Sequence, residues 1–164
     1  MYTVKRFHDI CAGHRVVGHE GKCRYLHGHN YRVHFSCVAD VSKRSAELGL
    51  PKKHIELDDL GRVIDFGVIK EKLCMWLEVN WDHKFIAWNH DEAIQHMARE
   101  SINDIADSLV FVPFNPTAEN MAAYLVEVIG PMQLEGTGVV LEEVKIEETY
   151  KCHVSYAKEV KNCD

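Results

Sequence analysis

Two histidines spaced two apart at the head of an alternating segment constrain this chain more than any other feature. Cys23-Arg24-Tyr25-Leu26-His27-Gly28-His29-Asn30 leads into Tyr31-Arg32-Val33-His34-Phe35-Ser36-Cys37, where apolar and polar residues alternate. That period predicts a half-buried strand over 31–41. Residues i and i+2 of a strand share a face. His27 and His29 therefore leave one face together, in phase with Tyr31, Val33 and Phe35. Two imidazoles on one strand face can grip one metal ion, and zinc suits them best. Gly28 between them removes a side chain where the backbone bends or a ligand approaches.

Two histidines make an incomplete site, because a catalytic zinc takes three protein ligands and keeps a fourth position open. His14, in Cys11-Ala12-Gly13-His14-Arg15, is the best candidate for the third. It closes the first strand-like segment, and a short loop returns the chain to His27. Cys23 lies four residues before His27 and is either a fourth ligand or a thiolate working beside the metal.

The remaining chain reads as one organised domain. Segment 2–14 is a first strand, 16–22 a loop with Gly18 and Gly21, and 31–41 the antiparallel partner of the first strand. Residues 42–60 are polar and charged, with Gly49 and Pro51, and read as an excursion with a short helix in 45–50. Val68, Ile69, Leu73, Trp76 and Leu77 fall at helical spacing and predict an amphipathic helix over 68–79. Asn80-Trp81-Asp82-His83-Lys84 follows directly. Residues 92–107 are helical or irregular, and the apolar run 109–114 reads as a buried strand.

Asn115-Pro116-Thr117-Ala118-Glu119-Asn120 is a helix start, with a capping side chain at Asn115 or Thr117 and a proline near the first helical position. The helix is expected to pass through Met121, Leu125, Val128 and Ile129 and to stop at Gly130-Pro131. A strand over 138–148 carries Val140, Val144 and Ile146 in phase, and an unbroken register puts Glu148 on their face. A last strand spans 153–158. This order predicts α+β architecture: a four-stranded antiparallel sheet with two helices on one face.

Composition narrows the function classes. The chain has 164 residues, 46% of them hydrophobic, enough for one domain with its own core. A formal net charge of −6 argues against non-specific nucleic-acid binding, which needs a basic footprint. No apolar run approaches the length of a membrane span. Met1-Tyr2-Thr3-Val4-Lys5-Arg6 runs straight into charged residues, so no secretory leader is expected and the location is cytoplasmic. Six cysteines without paired spacing read as free thiols.

Taken together, the motifs resemble the 6-pyruvoyltetrahydropterin synthase family. Ala12-Gly13-His14-Arg15 is similar to its first metal motif, and Cys23 followed by His27-Gly28-His29-Asn30-Tyr31 to its central one. Gly61-Arg62-Val63-Ile64-Asp65-Phe66 resembles the piece before its first helix. Asp82-His83 resembles its catalytic pair, Asn115-Pro116-Thr117-Ala118-Glu119 the start of its second helix, and Glu148-Thr149 its pterin anchor. Three residues separate Cys23 from His27, and Arg24–Leu26 contains no glutamate. That spacing resembles the 6-carboxytetrahydropterin synthase branch. The departures are an insertion at about 42–60 and a long region after His83. Trp81 stands where the family commonly has leucine.

The resemblance implies the tunnelling fold over 1–164 as a single domain, with sheets of three subunits joined into a barrel and two trimers stacked into a homohexamer. It implies Zn²⁺ on His14, His27 and His29, catalysis by Cys23, Asp82 and His83, and substrate binding by Glu148 and Thr149. The implied substrate is a pterin triphosphate, 7,8-dihydroneopterin triphosphate, with no nucleic-acid or membrane partner. The implied product is the 6-carboxy pterin of queuosine biosynthesis, with the pyruvoyl-forming reaction as the nearest variant. A non-catalytic pterin- or purine-binding protein is the alternative class; Cys23 and Asp82-His83 count against it, because a binder needs no base beside a metal.

Arg15, Lys22 and Arg24 are candidate triphosphate contacts. His8, His19, His34, His54, His90, His96 and His153 have no metal spacing and read as structural or surface residues. Cys11, Cys37, Cys74, Cys152 and Cys163 read the same way.

Overall fold

The computed structural model describes residues 1–48, 56–101 and 104–158. His54 and Cys163, and the last two residues of the helix expected over 45–50, lie outside them. A six-stranded sheet has the order β4-β3-β1-β2-β5-β6. Its strands are β1 (Val4–His14), β2 (His27–Ala39), β3 (Phe85–Trp88), β4 (Leu109–Val112), β5 (Val139–Thr149) and β6 (Cys152–Ala157). β1, β2, β5 and β6 pair antiparallel, as the sequence suggests. The four-stranded expectation fails at the other end, where β3 joins β1 in parallel and β4 joins β3 in parallel. β3 is only four residues long, too short for a period to show, whereas the run 109–114 does form a strand, β4, over Leu109–Val112. The run 109–114 was expected to be buried, yet β4 is an edge strand and Phe111 is 41% exposed.

Helix α1 spans Val41–Leu48, starting four residues earlier than expected. Helix α2 (66–80) joins Phe66–Ile69, a wide π turn Lys70–Cys74 and Met75–Asn80. The 92–107 region holds α3 (Glu92–Glu100) and α4 (Asp104–Asp107). Helix α5 (118–133) joins Ala118–Tyr124, a π turn Leu125–Ile129 and Gly130–Gln133. Its cap is Thr117, whose hydroxyl accepts the Asn120 N–H at 3.3 Å. The expected stop at Gly130-Pro131 does not occur. In the π turn the Gly130 N–H reaches the Leu125 carbonyl, and this widening leaves room for the Pro131 ring where a regular turn would clash. Gly130 is also where α5 approaches the sheet, since a Cβ there would lie 2.8 Å from Leu141 Cβ.

Both long helices cover one face of the sheet, as their spacing predicts. Ile69, Leu73, Cys74 and Leu77 of α2 and Met121, Ala122, Leu125, Val126 and Ile129 of α5 share one core with Ile10, Ala12, Tyr31, Val33, Phe35, Cys37, Leu141, Val144 and Ile146. Large side chains buried this fully contribute about 1.5–3 kcal/mol each. Trp81 is 1% exposed in the same core, so the substitution at this position is a packing choice. A bulge sets the phase of β5. Ser36 faces Glu143 but Cys37 faces Leu141, leaving Glu142 extra. The bulge brings Val139 and Leu141, not Val140, onto the face of Val144, Ile146 and Glu148. The opposite face of the sheet carries paired charges, including Arg32 with Asp9 and His34 with Glu147.

The end of β1 is tied to α3 by Arg15. Its Nε and a terminal nitrogen donate to Asp91 Oδ2 and Oδ1 at 2.6 and 2.7 Å. Asp91 is 2% exposed and also caps α3, accepting the Ile94 N–H. Burial pushes the Asp91 carboxyl up, but Arg15 and the helix N–H groups outweigh it and hold it below the ordinary value. Because the folded value is depressed, the pair stabilises the fold above the unfolded carboxylate pKa of about 4 and loses that contribution as pH falls further. Asp91→Ala is expected to cost about 3 kcal/mol in urea unfolding at pH 7 and to flatten the acid limb of the stability profile. An unchanged midpoint and an unchanged acid limb would show that the pair adds nothing.

Candidate metal centre

The register of β1 against β2 assembles the site. His14 lies opposite His27, and Ala12 opposite His29, so the three imidazoles leave the same face at the end of the pair. Ring centroids are 4.5 Å (His14–His27), 5.2 Å (His14–His29) and 5.1 Å (His27–His29) apart. One ligand atom from each lies within 4.8 Å of the others, so the three can hold one metal ion. Among the described residues no other His, Cys, Asp or Glu completes such a group with them, and Cys23 stands outside it.

Hydrogen bonds orient two of the imidazoles. His14 Nδ1 lies 2.6 Å from the Pro116 carbonyl and His27 Nδ1 lies 2.8 Å from the Tyr25 carbonyl. A carbonyl only accepts, so each Nδ1 carries the proton and each Nε2 presents a lone pair. Burial pushes the His14 pKa down to about 4, against the pull of the Pro116 hydrogen bond. Burial also lowers His29, against the nearby Glu148 charge. His14 Nε2 is buried and has no hydrogen-bond partner among the described residues. An orphaned buried lone pair is costly in a finished core and useful in a ligand set. Three imidazoles with an open position fit a divalent cation of the zinc type.

Glu148 projects to the same place, with Oε1 3.9 Å from His14 Nε2. Tyr31 packs edge-on against His14 and His29 at 5.8 and 5.3 Å. Its hydroxyl is buried without a hydrogen-bond partner among the described residues, and burial followed by the Glu148 charge raises its pKa. A cleft of about 840 Å³ opens beside this group, lined in part by His27, His29, His83, Glu148, Thr149 and Tyr150.

Asp82 and His83 form the turn that ends α2. His83 takes a left-handed conformation, φ 56°, where the chain reverses. Its N–H donates to the Cys11 carbonyl at 2.7 Å, while Asp82 Oδ1 accepts the Cys11 N–H at 2.8 Å. Asp82 Oδ2 accepts from His83 Nδ1 at 2.6 Å, leaving Nε2 on a ring that is 81% exposed. Burial raises the Asp82 carboxyl, but the Cys11 N–H and His83 hold it below its ordinary value.

The other sequence candidates separate. Cys23 is exposed on a short 3-10 turn, Lys22–Arg24, and does not line the cleft. Arg15 is committed to Asp91, and Arg24 bonds the Tyr25 hydroxyl at 2.8 Å. Lys22 is exposed. His8 and His34 pair with Glu78 and Glu147, which suits their reading as structural residues. Sequence reasoning missed Tyr31 as a wall of the site, the Cys11 backbone as the anchor of Asp82, and the Pro116 carbonyl behind His14. Only Pro116 had a signal, its place in a helix-start motif, and that signal says nothing about a histidine 102 residues away.

Residues 3–159 match the family model described as 6-pyruvoyl tetrahydropterin synthase. A protein of Rickettsia felis named 6-carboxy-5,6,7,8-tetrahydropterin synthase is 34% identical over 154 residues, covering 94% of this chain and 99% of that one. Among solved structures, an uncharacterized protein from Wolinella succinogenes superposes with a TM-score of 0.74 at 24% identity, covering 96% of this chain and 98% of that one. The 6-pyruvoyl tetrahydropterin synthase of Caenorhabditis elegans superposes with a TM-score of 0.61 at 22% identity, covering 96% of each chain. At those identities the structures speak to the fold alone, which is the same α+β sheet and helix arrangement. The family match and the near full-length relatives agree, and the chain belongs to the 6-pyruvoyl tetrahydropterin synthase family.

Proposed function

We propose that this protein is a zinc-dependent lyase that converts 7,8-dihydroneopterin triphosphate and water to 6-carboxy-5,6,7,8-tetrahydropterin, acetaldehyde and triphosphate, on the route to queuosine and other 7-deazapurines. The observation that carries this reading is the group of three clustered imidazoles, one with a buried Nε2 that has no hydrogen-bond partner among the described residues, beside a carboxylate. The full-length relatives named 6-carboxy-5,6,7,8-tetrahydropterin synthase support the product branch.

His14, His27 and His29 are the zinc ligands in this reading. Zinc supplies Lewis-acid polarisation of the substrate's side-chain hydroxyls and stabilises negative charge on the adjacent carbon. Cys23, as a thiolate, takes and returns the proton at that carbon. His83 moves its proton at Nε2, because Nδ1 is committed to Asp82 at 2.6 Å. Asp82 fixes that tautomer and balances the imidazolium. Glu148 accepts two parallel N–H donors from the amino-pyrimidine edge of the pterin, the geometry of a bidentate carboxylate. Thr149 adds a contact at the rim of the same cleft.

We read residues 1–164 as one domain acting in the cytoplasm as a homohexamer, a dimer of trimers. Among the described residues no helix is long and apolar enough to cross a membrane. The exposed Phe7 on the sheet face opposite the helices, and the strand edges of β4 and β6, offer surface for such an assembly.

Incubation of the zinc-loaded protein with 7,8-dihydroneopterin triphosphate is expected to yield the 6-carboxy product together with acetaldehyde. A 6-pyruvoyl product without acetaldehyde would overturn the branch, and no turnover despite bound zinc would overturn the enzyme reading for this substrate. Cys23→Ala is expected to keep zinc and pterin binding while kcat falls by about 10²–10⁴. Undiminished turnover in that variant would remove Cys23 from the chemistry.

A further inference from the structure

The helix-start motif Asn115-Pro116-Thr117 does more than begin α5. The first helical bond of α5 runs from the Met121 N–H to the Thr117 carbonyl at 3.0 Å. The Pro116 carbonyl therefore lies one residue outside the helix ladder. It is buried, and a buried carbonyl needs a donor. His14 Nδ1 is that donor, at 2.6 Å. The Asn115 carbonyl is occupied separately, by the Thr117 N–H at 2.8 Å and Asn120 Nδ2 at 2.9 Å.

The side chain of Asn115 reaches across to the turn that follows the strand carrying His14. Its Oδ1 accepts the Val17 N–H at 2.9 Å, and its Nδ2 donates to the Val17 carbonyl at 2.8 Å. This pair of bonds imitates one rung of a β-ladder, between residues 98 apart in sequence. Val17 is three residues beyond His14. The clamp thus fixes where the chain leaves β1 relative to the start of α5, and with it the distance from His14 to the Pro116 carbonyl. Only a carboxamide offers donor and acceptor at this reach; aspartate cannot donate. Pro116 adds a fixed φ of its own and holds Asn115 out of the helical region.

Resting on the reading of the three imidazoles as a metal centre, we propose that Asn115 is a positioning residue for it: the clamp on Val17 holds the Pro116 carbonyl against His14, fixing the Nδ1–H tautomer that aims Nε2 at the ion. A partner behind a metal-binding imidazole sets both its tautomer and its affinity.

Zn²⁺ titration against a competing chelator tests this without substrate. Asn115→Ala is expected to weaken Zn²⁺ binding by about 10–100-fold. Asp65→Ala, which removes the cap that accepts the Gly67 N–H of α2, controls for general loss of stability and is expected to leave Zn²⁺ affinity unchanged. Nitrogen-15 NMR of the zinc-free protein at neutral pH is expected to show His14 protonated at Nδ1 in the wild type and a mixture of tautomers in Asn115→Ala. Wild-type His14 protonated at Nε2, or equal Zn²⁺ affinity in Asn115→Ala and wild type, would overturn the proposal. The wild-type tautomer decides the matter even where the variant does not fold. A wild-type protein that binds no Zn²⁺ would overturn the metal reading itself.

Discussion

The antiparallel pairing of β1 with β2 is the constraint on which everything else rests. It sets His14 opposite His27, Ala12 opposite His29 and Ile10 opposite Tyr31, on the face that Val33 and Phe35 continue. A slip of one residue would send every one of these side chains to the wrong face. Close contact opposes such a slip. A Cβ at Gly28 would lie 2.8 Å from the Ala12 carbonyl oxygen, and one at Gly13 would lie 2.7 Å from the Phe85 ring. The buried aliphatic and aromatic residues lower on the same strands supply the free energy that holds the register. The imidazoles at the top ride on that packing.

Burial then gives the histidines their chemistry. A charged imidazole cannot be held in this environment, so His14 stays neutral well below physiological pH. Backbone carbonyls hold the Nδ1 protons of His14 and His27 and so leave Nε2 free, and Glu148 lies beside His14 Nε2. The Asp82-His83 pair is built on a different principle. It is the end of a helix, turned back by a left-handed residue and pinned to the Cys11 peptide on both its N–H and C=O. A rigid turn presents an exposed ring with one nitrogen already committed, a form suited to proton transfer with a bound molecule.

Much of this was legible in the sequence because it depends on period and spacing. His27-Gly28-His29 at the head of an alternating run placed two imidazoles on one face, and the structure has them there with His14 beside them. The two long helices showed their apolar stripes, and both cover that face. What was not legible depends on contacts far apart in the chain. β3 is four residues long, so no period could reveal it, and nothing in the run 109–114, read as a strand, shows that it pairs in parallel at the sheet edge. The bulge at Glu142 shifts the phase of β5 and is set by its pairing with β2, not by its own residues. The run of α5 through Gly130-Pro131 needs a π turn that the dipeptide does not announce. Arg15 reads as a candidate triphosphate contact, and only the fold brings Asp91 to it.

X-ray absorption at the zinc K-edge of the purified protein tests the central claim most directly. Zinc is expected to be bound by three imidazole nitrogens at about 2.0–2.1 Å, with an oxygen at a similar distance completing the shell and no sulfur. A sulfur scatterer at about 2.3 Å would make Cys23 a ligand and remove it as the proton carrier, and a protein that takes up no zinc would contradict the account at its root.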